Sequence, residues 1–412
     1  MFSDAFKITN DVFSYGKIRG NISQVGRDAN PYNITTGYSV VNLGNNVASL
    51  AFPLSGAAGF GIQGTLGGGS NLKPEFTKSY EAGANLGFFN NRLTFDLSVY
   101  KTISENQILA VSIPTSTGYF SRYANVGRLD NKGFEALVNF GVIRTSDFHW
   151  DVSANYSLNR SKVVTIADGV TQIPIPGSAF IGTVPSIAVG QPYGVIVGNA
   201  KQRDPVTNKY LIDPTSGLFL PENPNQVISD PNAKWQGGIT NTFTYKGITL
   251  SALVDAVVGG QIVSFTEAFY RARGALAETG VDRTSPRVIP GVIATARDAG
   301  GNVTATRPNN IQVDAQSYWS SFGLQSDLNV FDASVYRLRE VSLGYSLPKA
   351  LLGKSPFGGI SLQLLARNLF YYAPNVSFDP ELNTQGAGNI RGLDLQGPPN
   401  TRTYGASLRF SL

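Results

Sequence analysis

The chain alternates between apolar and polar residues with a period of two, and that alternation restarts at intervals along its length. Tyr80, Ala82, Ala84, Leu86 and Phe88 fall on one face of a predicted strand over 79–88, with Glu81, Gly83, Asn85 and Gly87 on the other. After Asn90-Asn91, a pair that tolerates the positive φ of a tight hairpin, Leu93, Phe95, Leu97 and Val99 alternate with Thr94, Asp96, Ser98 and Tyr100. The same polarity returns over 131–143 and 148–159, where Phe134, Ala136, Val138 and Phe140, then Trp150, Val152, Ala154 and Tyr156, share a face. It returns again over 237–245 and 248–258, over 335–347 and 360–370, and over 404–412, which stops at Leu412 with Phe410 two residues before it. A weaker alternation over 15–25 makes ten predicted strands in all. In the strand over 335–347, Arg337 and Arg339 continue the parity of Val341, Leu343 and Tyr345, and are expected to snorkel out of the apolar band at its end.

An apolar face backed by a polar, glycine-containing one fits a soluble sandwich, which buries it against a second sheet, or a membrane barrel, which turns it toward lipid. The connections separate these readings. The predicted strands are joined at one end by turns over 89–92, 144–147, 246–247 and 348–359, and at the other by stretches over 26–78, 105–129, 160–236, 259–333 and 371–403. Short turns on one side and long loops on the other are the habit of outer-membrane barrels, with the short turns periplasmic and the long loops extracellular. Phe88, Phe89, Trp150, Tyr245, Tyr345, Phe370 and Tyr371 stand at strand ends, as interfacial aromatic girdles require. The expected fold class is therefore all-β, a transmembrane antiparallel β-barrel, with a short helix near 265–277 in one loop.

Composition narrows the chemistry. Only 15% of the 412 residues are charged, 45 are Gly and 24 are Phe, and no apolar run is long enough for a membrane helix. The net charge of +5 is spread along the chain without a basic block, which argues against nucleic acid. With no Cys and one His, His149, thiolate chemistry, His-ligated metals and Ser-His-Asp triads fall away, and no enzyme, cofactor or metal site is expected. GFGIQG over 59–64 has the dinucleotide-fingerprint spacing, but TLGGGSNLKPE follows it where a helix is needed, so it is read as loop glycine.

The candidate contacts lie in the loops. Tyr318, Trp319 and Phe322 in SYWSSFG could stack on sugar rings or anchor a partner, although packing the loop against itself is the simpler expectation. Trp235 is a further candidate contact. It belongs to DPNAKW, where Asp230 reads as loop-ordering, as do Asp379 and Glu381 in FDPE.

The segments SYGKIRGNISQVG, NLKPEFTKSYEAGANLGFFNNRLTFDLSVY, NVGRLDNKGFEALVNF, VGQPYGVIVG, DPNAKWQGGITNTFTYKGITLSALVD, YRLREVSLGYSLPKALL, LLARNLFYYAPN and TRTYGASLRFSL resemble, in order, the SusC-like (RagA-like) TonB-dependent transporters of Bacteroidetes outer membranes. The resemblance implies a barrel of about 22 strands, of which residues 1–412 supply the ten C-terminal ones. It also implies a plug domain and a dozen earlier strands outside this sequence, in keeping with a start, MFSDAFKITN, that has no signal peptide. The implied function is nutrient import across the outer membrane. The implied partners are a SusD-like surface lipoprotein, the TonB complex acting through the N-terminal part, outer-membrane lipid, and an oligosaccharide or peptide cargo. A structural or adhesive barrel with binding loops is the alternative, and a soluble glycan-active sandwich a third.

Overall fold

The computed structural model describes every residue except 9, 40–42, 45–48, 51–60, 63, 176–180, 324–326, 354–355, 387, 389 and 412. Ten long strands form one antiparallel sheet in which neighbours in space are neighbours in sequence. They are β1 (Phe13–Arg27), β2 (Glu75–Phe88), β3 (Leu93–Ser112), β4 (Ser121–Arg144), β5 (Phe148–Thr165), β6 (Trp235–Tyr245), β7 (Ile248–Val258), β8 (Val335–Ser346), β9 (Gly359–Tyr372) and β10 (Thr403–Ser411). These are the ten strands the alternation predicts, extended at most ends. Among the described residues no strand pairs with the outer edge of β1 or of β10.

Turn chemistry fixes the hairpins. Asn90 and Asn91 sit at φ 57° and 59°, and Lys246-Gly247 at 45° and 88°, so the two-residue β6–β7 turn has the positive φ at both central positions that suits the strand twist. At Gly247 a Cβ would lie 2.8 Å from the Ser346 carbonyl oxygen, so glycine is required there on both counts.

The register carries the apolar parity across the sheet. Leu86 opposes Phe95, Phe95 opposes Val138, Val138 opposes Ala154, Ala154 opposes Ile239 and Ile239 opposes Val254. This face is not a core. Leu97 and Val138 are only half-buried, while Ile239 is 50% and Leu408 57% exposed. The densest hydrophobic burial lies in the connections at one end. Ile196 of the 166–234 connection, Val263 and Phe265 of 259–334, and Leu393 of 373–402 meet in one cluster, and Ile212, Ile289, Ile293 and Val313 form another. Helix α1 (Phe265–Ala272), capped by the Ser264 side chain accepting from the Glu267 N–H, anchors the first cluster. The long connections are thus a folded layer with its own core, whereas the apolar side of the sheet is left for another apolar medium.

Aromatics edge the apolar face in two rows. At the turn end Phe13, Phe88 and Phe95 follow one another edge to face, and Trp150 stacks on Phe243. At the loop end Phe134, Tyr156 and Trp235 are in sequence, as are Tyr336 and Tyr372. From Phe88 to Tyr80 is about 27 Å of strand, which at barrel tilts gives about 20 Å of height, close to the apolar band of an outer-membrane barrel.

Three expectations are corrected. The stretch over 105–129 is not a loop: Gln107 pairs with Val126 and the ladder continues to Ser112 and Ser121, leaving only 113–120 as connection. Within its QILAVS run Leu109 and Val111 share a side with Val126, and that side packs on Ile173. Arg337 and Arg339 do not snorkel from the apolar face. A bulge between Leu338 and Glu340 inserts Arg339 as an extra residue, so that Leu338 and Tyr336 join the apolar side and the arginines turn to the polar one. The same shift takes Tyr371 out of the aromatic row and under the Arg337 guanidinium, 5.0 Å from the ring centroid. Of the GFGIQG stretch, residues 59, 60 and 63 lie outside the described residues, and the first helical turn described after it is a 3-10 turn, Gly69–Asn71.

Candidate functional site

The polar face of the sheet is laced by short side chains and one long one. Thr77 pairs with Ser104 and Thr242 with Ser251 across strands, and Arg19 donates to Asn85, Asp96 and Ser98 at 2.7, 2.7 and 2.6 Å. At the loop end this face runs into a recess of ≈ 640 Å³. Ser157, Asn159 and Gln236 line it from the strands, and Glu381, Arg391 and Asn400 from the 373–402 connection. Its donors and acceptors come from one rigid wall and one folded loop, which is how a site for a polar ligand is commonly built.

An ion network fixes the loop side of that recess. Arg337, 2% exposed, donates to both oxygens of Asp379 at 2.7 and 3.3 Å and lies 3.2 Å from Glu381. Arg339 donates to Glu381 at 2.6 Å and to Asp255 of β7 at 2.7 Å. The Asn400 amide adds bonds to Asp379 and Glu381. Two arginines of β8 therefore hold two carboxylates of the last long connection, with geometry a Lys could not reproduce. Asp379 and Glu381 do order a loop. Sequence reasoning missed the other half, although two arginines breaking an apolar parity within three residues are a legible sign of a bulge.

The aromatic candidates are brought together. Tyr318 and Trp319 lie on helix α2 (Ala315–Ser320), capped by Asp314, with Phe322 just beyond it. Their ring centroids are 4.9 Å apart for Tyr318–Trp319, 5.5 Å for Tyr318–Phe322 and 5.8 Å for Trp319–Phe322. Phe219 packs edge-on to Phe322 and Tyr210 to Phe219, so the cluster bridges two connections. Arg287 lies over Tyr318 and Trp319, Arg271 over Phe322 and Lys201 over Phe219. Burial pushes the Tyr318 and Tyr210 hydroxyls above their ordinary pKa, with Arg287 and Arg203 opposing. The rings are half-buried and spend much of their surface on one another and on these cations, as loop packing demands.

Trp235 stands apart from them. It stacks on Tyr156 at 5.7 Å in the loop-end aromatic row of the apolar face, and its edge borders the recess. Asp230 accepts from the Asn232 backbone and side chain and so shapes the turn before it. His149 is exposed at the start of β5. Among the described residues no cluster of His, Cys, Asp and Glu could hold a metal ion, and no helix is long and apolar enough to cross a membrane.

Residues 5–190 match the family model described as TonB dependent receptor-like, beta-barrel. TonB-dependent receptor P3 of Formosa agariphila is 27% identical over 373 residues, covering 82% of this chain and 34% of that protein. TonB-dependent receptor SusC of Bacteroides thetaiotaomicron is 23% identical over 359 residues, covering 82% of this chain and 32% of that protein. The chain thus spans about a third of the length of these curated relatives. Among solved structures, the RagAB peptide importer in its closed-closed state superposes with a TM-score of 0.69 at 20% identity, over 99% of this chain and 42% of that one. Its open-open state gives 0.68 at 19% identity, over 100% and 42%.

Proposed function

We propose that this chain, which is similar to TonB-dependent receptors over most of its length and to their β-barrel family model over residues 5–190, is an outer-membrane protein that forms part of the wall and outer loops of a nutrient importer. In this reading it is the C-terminal part of the barrel, and a plug and earlier strands complete the transporter. The cargo is an oligosaccharide or a peptide, presented by a SusD-like surface lipoprotein and drawn inward through TonB-driven movement of the plug. No covalent step is asked of these residues. Their work is to shape a polar passage and to present loops to cargo and lipoprotein.

The observation that carries the reading is the division of labour in the fold. Across ten successive strands the apolar face between the two aromatic rows stays out of any protein core, and the connections at one end fold into a layer, leaving the recess between Asn159, Gln236, Glu381 and Asn400. The Tyr318, Trp319 and Phe322 cluster is proposed to act as a rigid foot for the loop that meets cargo or lipoprotein. Uptake of dye-labelled oligosaccharide and peptide libraries by cells with and without the intact gene tests this. Energy-dependent uptake of at least one class should vanish with the gene, and Trp319→Ala should reduce it while the barrel still assembles. Equal uptake of every library member by both strains would remove the proposal.

A further inference from the structure

The apolar face carries a feature that lipid contact alone does not explain. Cross-strand pairing sets Tyr80 opposite Lys101, Lys101 opposite Lys132, and Lys132 opposite Arg160, so three cations stand side by side on consecutive strands. Each occupies the position one alternation step beyond Val99, Phe134 and Leu158, at the loop end of the apolar band. Like charges directly opposite one another on a sheet are destabilising, so such a row invites a counter-charge. The protein does little to provide one. Asp130 is 4.0 Å from Lys101 but is already gripped by Arg128 at 2.6 and 3.0 Å, and Lys78 is taken by Glu105. Among the described residues Lys132, Arg160 and the neighbouring Lys162 form no ion pair, and Arg160 only donates to the carbonyls of Asn159, Ala233 and Lys234.

Strands β1 to β5 form a shallow groove of ≈ 820 Å³ that the three cations line at one end. Ile22, Tyr80, Val99, Phe134 and Leu158 wall it, and Gly20 and Ala82 supply the hollow. With strands about 4.8 Å apart, the three cations span about 10 Å, enough to meet one or two phosphates at once.

We propose that this surface is a site for a phosphorylated lipid of the outer leaflet, its phosphate on Lys101, Lys132 and Arg160 and an acyl chain along the groove. Charge complementarity at the membrane surface and apolar continuity below it favour one ligand bearing both chemistries over a free phosphate. The site rests on the outer-membrane placement of the barrel and not on what the transporter carries, so it stands or fails apart from the import reading.

Native mass spectrometry of the complete protein in mild detergent, titrated with diphosphorylated lipid A, with phosphatidylcholine and with inorganic phosphate, tests it. Lipid A should bind at one preferred stoichiometry, and Lys101→Gln with Lys132→Gln should weaken it about 25-fold, each lysine at a membrane surface being worth about fivefold. Gly20→Leu, which fills the groove and leaves every charge, should weaken lipid A and leave phosphate unaffected. Arg160 is left intact because it also ties down backbone carbonyls. Heat-modifiable migration confirms that each variant is folded. Phosphatidylcholine binding as tightly as lipid A, phosphate competing at equal concentration, or a double variant that retains lipid A affinity would each overturn the proposal.

Discussion

Asp379→Ala removes the carboxylate on which the buried Arg337 guanidinium depends. Both side chains are essentially inaccessible, at 2% and 0% exposure, and the bond between them is two-pronged. Truncating one member of a buried pair leaves an uncompensated charge and costs about 3–5 kcal/mol. Glu381, 3.2 Å from the same guanidinium, compensates in part, which puts the expected cost near the lower end, about 3 kcal/mol. The loss should fall on the loop layer, because β8 keeps its ladders to β7 and β9 while the 373–402 connection loses its main tether. Hydrogen exchange locates it. The Val263 and Thr384 amides, which donate to Gly392 and Leu393, should exchange roughly 150-fold faster, whereas the β2–β3 ladder should be unchanged. Arg144→Ala serves as control, since its pair with Asp151 is half-exposed and worth under about 1 kcal/mol. Arg337→Met combined with Asp379→Leu should recover most of the protection, because an apolar pair carries no stranded charge. Unchanged exchange at Val263 and Thr384 in Asp379→Ala, or faster exchange spread evenly over the sheet, would show that the network does not pin the loop.

Of the three tryptophans, Trp150 and Trp235 stand in the aromatic rows of the apolar face and Trp319 in the loop layer, so single-tryptophan variants in vesicles of brominated lipid should be quenched at Trp150 and Trp235 only; quenching of Trp319 alone would invert the sheet. Hydrogen bonds from Thr207 to Asp204, from the Ser216 N–H to Asp213, and involving Ser317 at Asp314 hold these loop carboxylates below their ordinary value of 3.8. Their contribution to the loop layer is therefore complete above about pH 5 and lost progressively as pH falls through the ordinary value toward the depressed ones. Near-ultraviolet circular dichroism should report loop loosening only below that point, with far-ultraviolet strand signal retained; loosening that begins between pH 7 and 5 would count against it.

The period-two pattern determined the strands, their hairpin pairing and which side of each is apolar, because in a strand those follow from local sequence alone. Leu86, Phe95 and Val138 could be placed on one face without coordinates, and Asn90-Asn91 and Lys246-Gly247 named their own turns. Asp379 and Glu381 were legible as loop-ordering residues, but not what they order against, since their partners lie in β8 and β7. The sidedness of Arg337, Arg339 and Tyr371 was misread because one inserted residue reverses parity, and only the pairing of β8 with both neighbours reveals the insertion. The Lys101, Lys132 and Arg160 row was equally hidden: each looks like an ordinary strand-end charge until the register sets the three abreast. Where hydrophobic residues end up also needed tertiary structure. Alternation says that a face is apolar, whereas only the packing of Ile196, Phe265 and Leu393 from three separate connections shows that a core lies in the loops, and only the exposure of Ile239 and Leu408 shows that the face of the sheet is left uncovered.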